Sequence, residues 1–337
     1  MKKLLSINPT DNTLIDQYDQ YDINKIEKII KDSSNAQQKW KNQKVDFRIN
    51  MLSSIIDDLN QNIDSYAKII TLEMGKPISE SILEIQKCIY LCEYYFSNGK
   101  EFLESETLNF KSKKSLIKFD PLGIVFGIMP WNFPFWQVFR FAIPSLTIGN
   151  GAVLKHASNV QGCASAIEKC FLDAGYFENI FCNLRIPGSR VDSVIENENI
   201  AAVTLTGSTP AGKSVAKKAG EFLKKTVLEL GGSDPYVIFD DADIEIAVDA
   251  CIAGRILNTG QSCIAAKRLI VTKLNAERFT EKLKSKLSLK IMGDPLDDVD
   301  IGPMVSINAR DEVENQVQRT IAAGAKLELG GKKVDSE

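Results

Sequence analysis

The chain has 337 residues, of which 44% are hydrophobic and 25% are charged, and its net charge is −3. This length exceeds one ordinary hydrophobic core and predicts about two domains. The acidic balance gives no electrostatic case for a nucleic-acid partner, and the apolar stretch 133–148 is broken by prolines, Gln137 and Arg140, so no membrane span is predicted.

Helical spacing governs residues 23–98, where apolar residues recur at intervals of three and four. The run Glu73-Met74-Gly75-Lys76-Pro77 is expected to end one helix and begin the next. Residues 102–119 carry apolar positions around the polar centre Lys111-Ser112-Lys113-Lys114, which predicts an extended hairpin arm.

After Pro121 the pattern changes to alternating strands and helices, which is typical of βαβ units in a mainly parallel sheet. An extended segment within 263–273 and a helix near 275–287 predict the start of another α/β unit. The predicted strands are 123–128, 152–155, 180–184, 201–206, 226–230 and 236–240.

Seven cysteines and a single histidine limit the chemistry that the chain can perform. The odd number of cysteines and the lack of a recognisable export signal favour a reduced, cytoplasmic protein. Cys88 and Cys92 share one helix face and are expected to be buried packing residues. With only His156 available, zinc hydrolases and histidine-dependent serine hydrolases lack their parts, and no metal centre is predicted.

Residues 207–214, Gly-Ser-Thr-Pro-Ala-Gly-Lys-Ser, satisfy the phosphate-binding P-loop pattern between a predicted strand and a predicted helix. Asp240 at the end of a later strand resembles the carboxylate that helps to hold magnesium in nucleotide triphosphatases. A helix N-terminus after a strand binds phosphate of any kind, so a dinucleotide pyrophosphate fits as well as ATP. The segment therefore leaves a P-loop nucleotidase open as an alternative.

Three further residues suggest covalent chemistry. Cys263 ends the run 258–263, Asn-Thr-Gly-Gln-Ser-Cys, and lies 34 positions after Glu229, which opens Glu229-Leu230-Gly231-Gly232. A thiol, an upstream carboxylate and two glycines indicate a nucleophile, a base and backbone that a substrate can approach closely. Asn132 follows a predicted strand at the edge where open α/β sheets bind ligands, so its amide could donate to an oxyanion. The alternatives are a packing thiol, a surface carboxylate and a turn-shaping asparagine.

These segments, with Pro130–Pro134, Leu154-Lys155 and Thr206–Thr209, occur in the order and spacing of the aldehyde dehydrogenase superfamily. The chain resembles that superfamily over essentially its whole length, and residues 130–140 and 154–157 resemble bacterial succinate-semialdehyde dehydrogenases most. The resemblance implies an α/β fold with a Rossmann-type cofactor domain, an incomplete α/β catalytic domain and an oligomerisation hairpin.

The resemblance implies the following chemistry. Cys263 attacks the aldehyde carbon, the Asn132 amide and the Cys263 backbone N–H hold the oxyanion, and hydride transfer leaves a thioester. Glu229 activates the water that hydrolyses this thioester and can help to deprotonate Cys263. The implied cofactor-binding residues are Trp131, Lys155, Ser158, Gly207, Ser208, Leu230 and Gly231.

Two residues bear on specificity. Ser158 occupies a position where many NAD-preferring relatives have a glutamate. A carboxylate there would repel the 2′-phosphate of NADP, whereas a hydroxyl can donate a hydrogen bond to it. NADP, alongside NAD, is therefore the expected cofactor. Arg140 matches the arginine that some semialdehyde dehydrogenases direct at the distal carboxylate of the substrate. It lies eight residues after Asn132, and a continuous helix would place both on one face. The alternative is an arginine that snorkels to the surface.

The resemblance assigns residues 1–101 and 123–228 to a dinucleotide-binding domain, 102–122 to the hairpin arm and 229–337 to a partial catalytic domain. It implies a small-molecule aldehyde substrate and a homodimer or homotetramer. The later glutamate-phenylalanine motif and the C-terminal pairing strand of the family have no counterpart up to Glu337. Little turnover by this length of chain, or nucleotide binding without catalysis, is therefore the expectation.

Overall fold

The computed structural model describes residues 2–110 and 113–334, and the chain divides into two compact units. The first unit is built mainly from Leu14–Ile70 and Ser81–Leu230. The second is built from Ile7–Thr13, Thr71–Glu80 and the residues from Gly231 onward. The functions that the sequence assigns to its domains stay predictions.

The N-terminal half of the first unit is helical, as the apolar spacing predicts. Helix α1 begins after Asp22, whose side chain accepts a hydrogen bond from the Lys25 N–H at 2.8 Å and so caps the helix. Gly75, at φ +85°, lies in the predicted break between α3 and α4. The helices are α1 (Ile23–Trp40), α2 (Val45–Gln61), α3 (Ile63–Met74) and α4 (Ile78–Asn98). Cys88 and Cys92 are buried on α4.

A five-stranded parallel sheet forms the core of the first unit, with the strand order β7-β6-β5-β8-β9. Every residue of the central strand β5 is buried, because helices cover both faces of such a sheet. At Gly127 of β5, an added Cβ would lie 2.3 Å from the Phe141 ring, so only glycine allows this close packing. The strands are β5 (Ile124–Met129), β6 (Gly151–His156), β7 (Phe181–Asn183), β8 (Ile200–Gly207) and β9 (Lys225–Leu230).

The helices between these strands complete the βαβ units that the sequence predicts. They are α5 (Trp136–Thr147), α6 (Gln161–Asp173), α7 (Val191–Glu196) and α8 (Thr209–Glu221). The sheet grows from β5 toward β7, and then β8 returns to the other side of β5. This reversal creates a switch point between β5 and β8, and ligands of doubly wound sheets bind at the carboxyl ends of the strands there.

Two small strand pairs are separate from this sheet. The first, β1 (Lys3–Ile7) with β2 (Leu14–Asp19), was not predicted from the sequence. The second, β3 (Glu106–Phe110) with β4 (Lys113–Ile117), is antiparallel and confirms the expected hairpin. Lys111 and Ser112, within its predicted polar centre, lie outside the described residues. The role of the hairpin in oligomerisation stays a prediction.

The second unit contains the further α/β unit that the sequence predicts. Strand β10 (Pro235–Ile238) pairs in parallel with β11 (Arg268–Val271), and helix α9 (Ile244–Ile256) connects them. Helices α10 (Ala276–Leu287) and α11 (Ile307–Ala322) follow. The buried side chains that form the core of this unit are Ile238, Ile244, Val248, Cys251, Ile252 and Phe279.

Within the described ranges, no helix is both long and apolar enough to cross a membrane.

Candidate active site

The loop that follows β5 carries Trp131 and Asn132, both of which are half-buried. His156, at the end of the neighbouring strand, supports this loop. Its Nδ1 lies 2.9 Å from the Ala157 nitrogen and 3.2 Å from the Met129 carbonyl oxygen, and its Nε2 lies 3.0 Å from the Pro134 carbonyl oxygen. Complete burial lowers the pKa of His156 to about 4, and the ring is therefore neutral near pH 7. It packs and supports rather than catalyses.

A buried carboxylate determines where helix α5 begins. The Phe135 and Trp136 N–H groups both donate to Glu84 Oε1 at 2.8 Å, which satisfies donors that a helix N-terminus would otherwise leave unpaired. The expected continuous helix from Asn132 to Arg140 is therefore wrong. The helix begins only at Trp136, and Asn132 lies in the preceding loop.

Arg140 and Glu229 line the same cleft of the first unit, which has a volume of about 460 Å³. Arg140 is half-buried, and its Nη2 donates to Thr206 Oγ1 at 3.3 Å, so it does not extend from the helix into solvent. Glu229 lies on the edge strand β9, opposite Thr206 of β8, and is exposed. A guanidinium and a carboxylate thus border one cleft.

Besides Trp131, the cofactor-binding residues predicted in the first unit lie at the carboxyl ends of neighbouring strands. Lys155 is on β6 and exposed Ser158 just beyond it, Gly207 ends β8, and Leu230 ends β9. Ser208 caps helix α8, accepting a hydrogen bond from the Ala211 N–H at 3.4 Å. No acidic residue stands in the first turn of α8, so its N–H groups are suited to an anion.

The chemistry of these residues fits a dinucleotide. Burial lowers the pKa of Lys155, and the lysine makes no ion pair within the described part of the chain. A half-buried cation without a countercharge favours an anionic or polyhydroxylated ligand. At Gly231, an added Cβ would meet no described atom within 4 Å, so internal packing does not explain the glycine. Lys155, Ser158 and Ser208 would hold the ribose and phosphate groups, and Trp131 would form a wall.

Cys263 differs from the other cysteines of the chain in its exposure. The six others are buried, whereas Cys263 is only partly so, which suits a thiol that reacts rather than one that packs. It lies in the second unit, between residues 257–260 and strand β11. Lys267 Nζ donates to the Cys263 carbonyl at 2.7 Å, and the Ile264 N–H donates to Ser262 Oγ at 3.3 Å. These contacts hold the loop on both sides of the thiol.

The sequence reasoning missed two residues of the first unit. Glu84 lies within the predicted helical region 23–98, and its side chain is only 3% exposed. Gln137 is 4% exposed and lines the cleft of Arg140, and its Oε1 accepts no hydrogen bond from a described residue. Gln137 could have been found as a polar residue in an otherwise apolar run. Nothing in the sequence around Glu84 indicates that it is buried.

The P-loop interpretation also requires the carboxylate of Asp240, and this residue follows a strand of a different sheet. Asp240 follows β10, and β10 pairs with β11 rather than with β8, the strand before residues 207–214. In a nucleotide triphosphatase the two motifs end strands of one sheet.

A doubly wound parallel sheet with cationic and glycine residues at its switch point defines an α/β protein of the dinucleotide-binding class. Residues 2–337 match the aldehyde dehydrogenase family. The chain is 41% identical over 331 residues to the succinate semialdehyde dehydrogenase [NAD(P)+] Sad of Escherichia coli, covering 98% of this chain and 72% of that protein. It is 45% identical to a probable NADP+ succinate-semialdehyde dehydrogenase of Synechocystis, covering 84% of this chain and 63% of that one.

A solved structure of the succinic semialdehyde dehydrogenase from Streptococcus pyogenes, in complex with NADP+, superposes with a TM-score of 0.96 at 33% identity. The superposition covers 98% of this chain and 73% of that one. The chain belongs to the aldehyde dehydrogenase family, whose members are NAD(P)-dependent oxidoreductases. The resemblance and the fold class predicted from the sequence are thus confirmed.

Proposed function

We propose that this protein oxidises succinate semialdehyde to succinate with NADP+ or NAD+. The observation that carries the substrate assignment is the cleft that Arg140 and Glu229 line together. Succinate semialdehyde has a carboxylate at one end, which a guanidinium can bind through two parallel hydrogen bonds, and a reactive carbonyl at the other. The names of the relatives from E. coli and Synechocystis support the same substrate.

The proposed reaction divides the chemistry among three residues. The Cys263 thiolate adds to the aldehyde carbon, and the Asn132 amide and the Cys263 backbone N–H donate to the resulting oxyanion. The bound nicotinamide supplies the hydride acceptor that converts the adduct to a thioester. Glu229 then removes a proton from water, which attacks the thioester, and Cys263 leaves as the thiolate. The products are the carboxylate, the reduced cofactor and two protons.

The direct test is to mix the 337-residue chain with succinate semialdehyde and NADP+ and to follow reduced-nicotinamide absorbance. Intact mass spectrometry of acid-quenched samples reports an acyl group on Cys263 even when turnover is slow. Cofactor binding without an adduct or reduced cofactor would contradict the proposal and favour a nucleotide-binding protein. Magnesium-dependent ATP hydrolysis would instead support the P-loop alternative.

Replacing Ser158 by glutamate is expected to weaken NADP+ binding by at least about tenfold, because a carboxylate near a 2′-phosphate repels it. The Kd for NAD+ should change by less than about threefold, since a ribose hydroxyl can donate to the same carboxylate. Quenching of intrinsic tryptophan fluorescence by NADP+ and by NAD+ measures both constants, and S158A, which removes the hydroxyl without adding a charge, separates the loss of the hydroxyl from repulsion by the carboxylate. A parent chain that binds NADP+ a hundredfold more weakly than NAD+ would refute the role of Ser158.

Replacing Arg140 by glutamine is expected to raise KM for succinate semialdehyde by about tenfold or more, because a charge-assisted hydrogen bond to the substrate is lost. Butanal, a neutral aldehyde with the same number of carbons, is the internal control, and its kcat/KM should stay within about threefold. Initial-rate or single-turnover kinetics with both aldehydes measure the difference. Equal losses for the two substrates would show that Arg140 supports the fold and does not bind the carboxylate.

A further inference from the structure

The segment that leads to Cys263 passes through the left-handed backbone region at three consecutive residues. Asn258 has φ 59° and ψ 41°, Thr259 has φ 55° and ψ 28°, and Gly260 has φ 71°. Glycine adopts this region freely and asparagine does so with a moderate cost, but a β-branched threonine is strongly disfavoured there. Surrounding contacts must therefore hold this left-handed turn, residues 258–260, and Cys263 follows it after only two intervening residues.

Hydrogen bonds from other segments of the second unit hold the turn. The Asn258 N–H donates to Glu80 Oε2 at 2.8 Å, and the Gly302 N–H donates to Thr259 Oγ1 at 3.3 Å. The Val305 N–H donates to Gln261 Oε1 at 3.0 Å. Of these three acceptors, Glu80 is a carboxylate, whereas Thr259 and Gln261 are uncharged. Hydrogen bonds to a charged acceptor are roughly twice as strong as hydrogen bonds to a neutral one.

Glu80 is held in place for this contact. It lies in the first turn of α4, close to buried Lys76. Burial raises the pKa of Glu80, while Lys76 and the Asn258 N–H lower it. On its other side Glu80 borders a cleft with Asp298 and Asp300, and Asp300 is paired with Lys290. The carboxylate therefore has a buried cation and a backbone donor as its favourable partners.

We propose that Glu80 is a positioning residue for the proposed reaction. By accepting the Asn258 N–H, it stabilises the left-handed turn and so sets the place of Cys263 Sγ and of the Cys263 backbone N–H. Small displacements of a nucleophile and of an oxyanion donor have large effects on rate, because both must match the geometry of the tetrahedral adduct. This inference rests on the assignment of Cys263 as the nucleophile.

The test uses acylation of Cys263 by p-nitrophenyl acetate in the full chain, followed by nitrophenolate release and peptide mass spectrometry. Glu80→Ala is expected to slow acylation by about tenfold, because the hydrogen bond that holds the turn is lost. Glu80→Gln keeps an oxygen that accepts the Asn258 N–H, and its rate should stay within about threefold of the parent. Glu93→Ala removes an exposed carboxylate from the same helix and is the matched control.

The two Glu80 variants make the proposal falsifiable. Acylation of E80A at the parent rate would overturn it, and so would equal losses in E80A and E80Q. If thermal melts show that E80A does not fold, E80D replaces it, because aspartate is one methylene too short to reach the turn. A slow E80D beside a fast E80Q then supports the proposal, and equal rates overturn it. Acylation needs no aldehyde oxidation, so failure of the proposed function would be seen separately.

Discussion

Replacing Cys263 by alanine is expected to abolish formation of reduced nicotinamide from succinate semialdehyde, lowering kcat/KM by at least about a thousandfold. Removing the nucleophile closes the covalent route entirely, which costs more than the loss of one oxyanion donor. Cys263 is the cysteine that the fold leaves partly exposed, whereas the other six are packed inside. Rapid-quench mass spectrometry should find no acyl adduct on the variant, while cofactor titration should give an unchanged Kd.

The control for this result is Cys251→Ala. Cys251 is a buried member of the core of the same unit, only 2% exposed, so the change costs some stability but no chemistry. Its adduct formation and kcat/KM should match the parent below the melting temperature. Aldehyde oxidation by C263A at the parent rate would show that another group attacks the substrate, and the proposed mechanism would fall.

Replacing Glu229 by glutamine is expected to stall the reaction at the thioester intermediate. The amide cannot take a proton from water, so hydrolysis should slow by about a hundredfold or more, within the range for general bases. Hydride transfer precedes that step, and the variant should therefore release about one equivalent of reduced cofactor per chain in a burst and then stall. Stopped-flow absorbance measures the burst, and mass spectrometry should find the acyl group on Cys263.

Glu198→Gln, which alters an exposed carboxylate in the loop before β8, is the control and should turn over like the parent. Turnover of E229Q at the parent rate would remove Glu229 from the mechanism. A variant that shows neither burst nor adduct would instead place Glu229 at the deprotonation of Cys263, before the thioester forms. Stopped-flow absorbance distinguishes these two outcomes, because the first shows continued turnover and the second shows no burst.

The sequence predicted the architecture well where local pattern decides structure. Apolar spacing identified 23–98 as helical with a break at 73–77, and short apolar runs bounded by turns located all five strands of the parallel sheet. The order of the motifs around Asn132, Glu229 and Cys263 was enough to indicate the family that the comparisons confirm. The strand pair 3–7 with 14–19 was missed, because both strands are short and largely exposed.

What the sequence by itself determined is the strands of the parallel sheet, the helical region before them, the order of these elements and the residue types at the ends of the strands, because these follow from periodicity along the chain. The tertiary structure decided the start of α5, where the carboxylate of Glu84 binds backbone donors 51 and 52 residues away. It also decided that Arg140 borders a cleft, and that Asn258 and Thr259 adopt left-handed backbone beside Glu80, 178 residues from Asn258. Contacts between such distant residues form only when the chain folds, and no local pattern encodes a backbone conformation that the residues themselves disfavour.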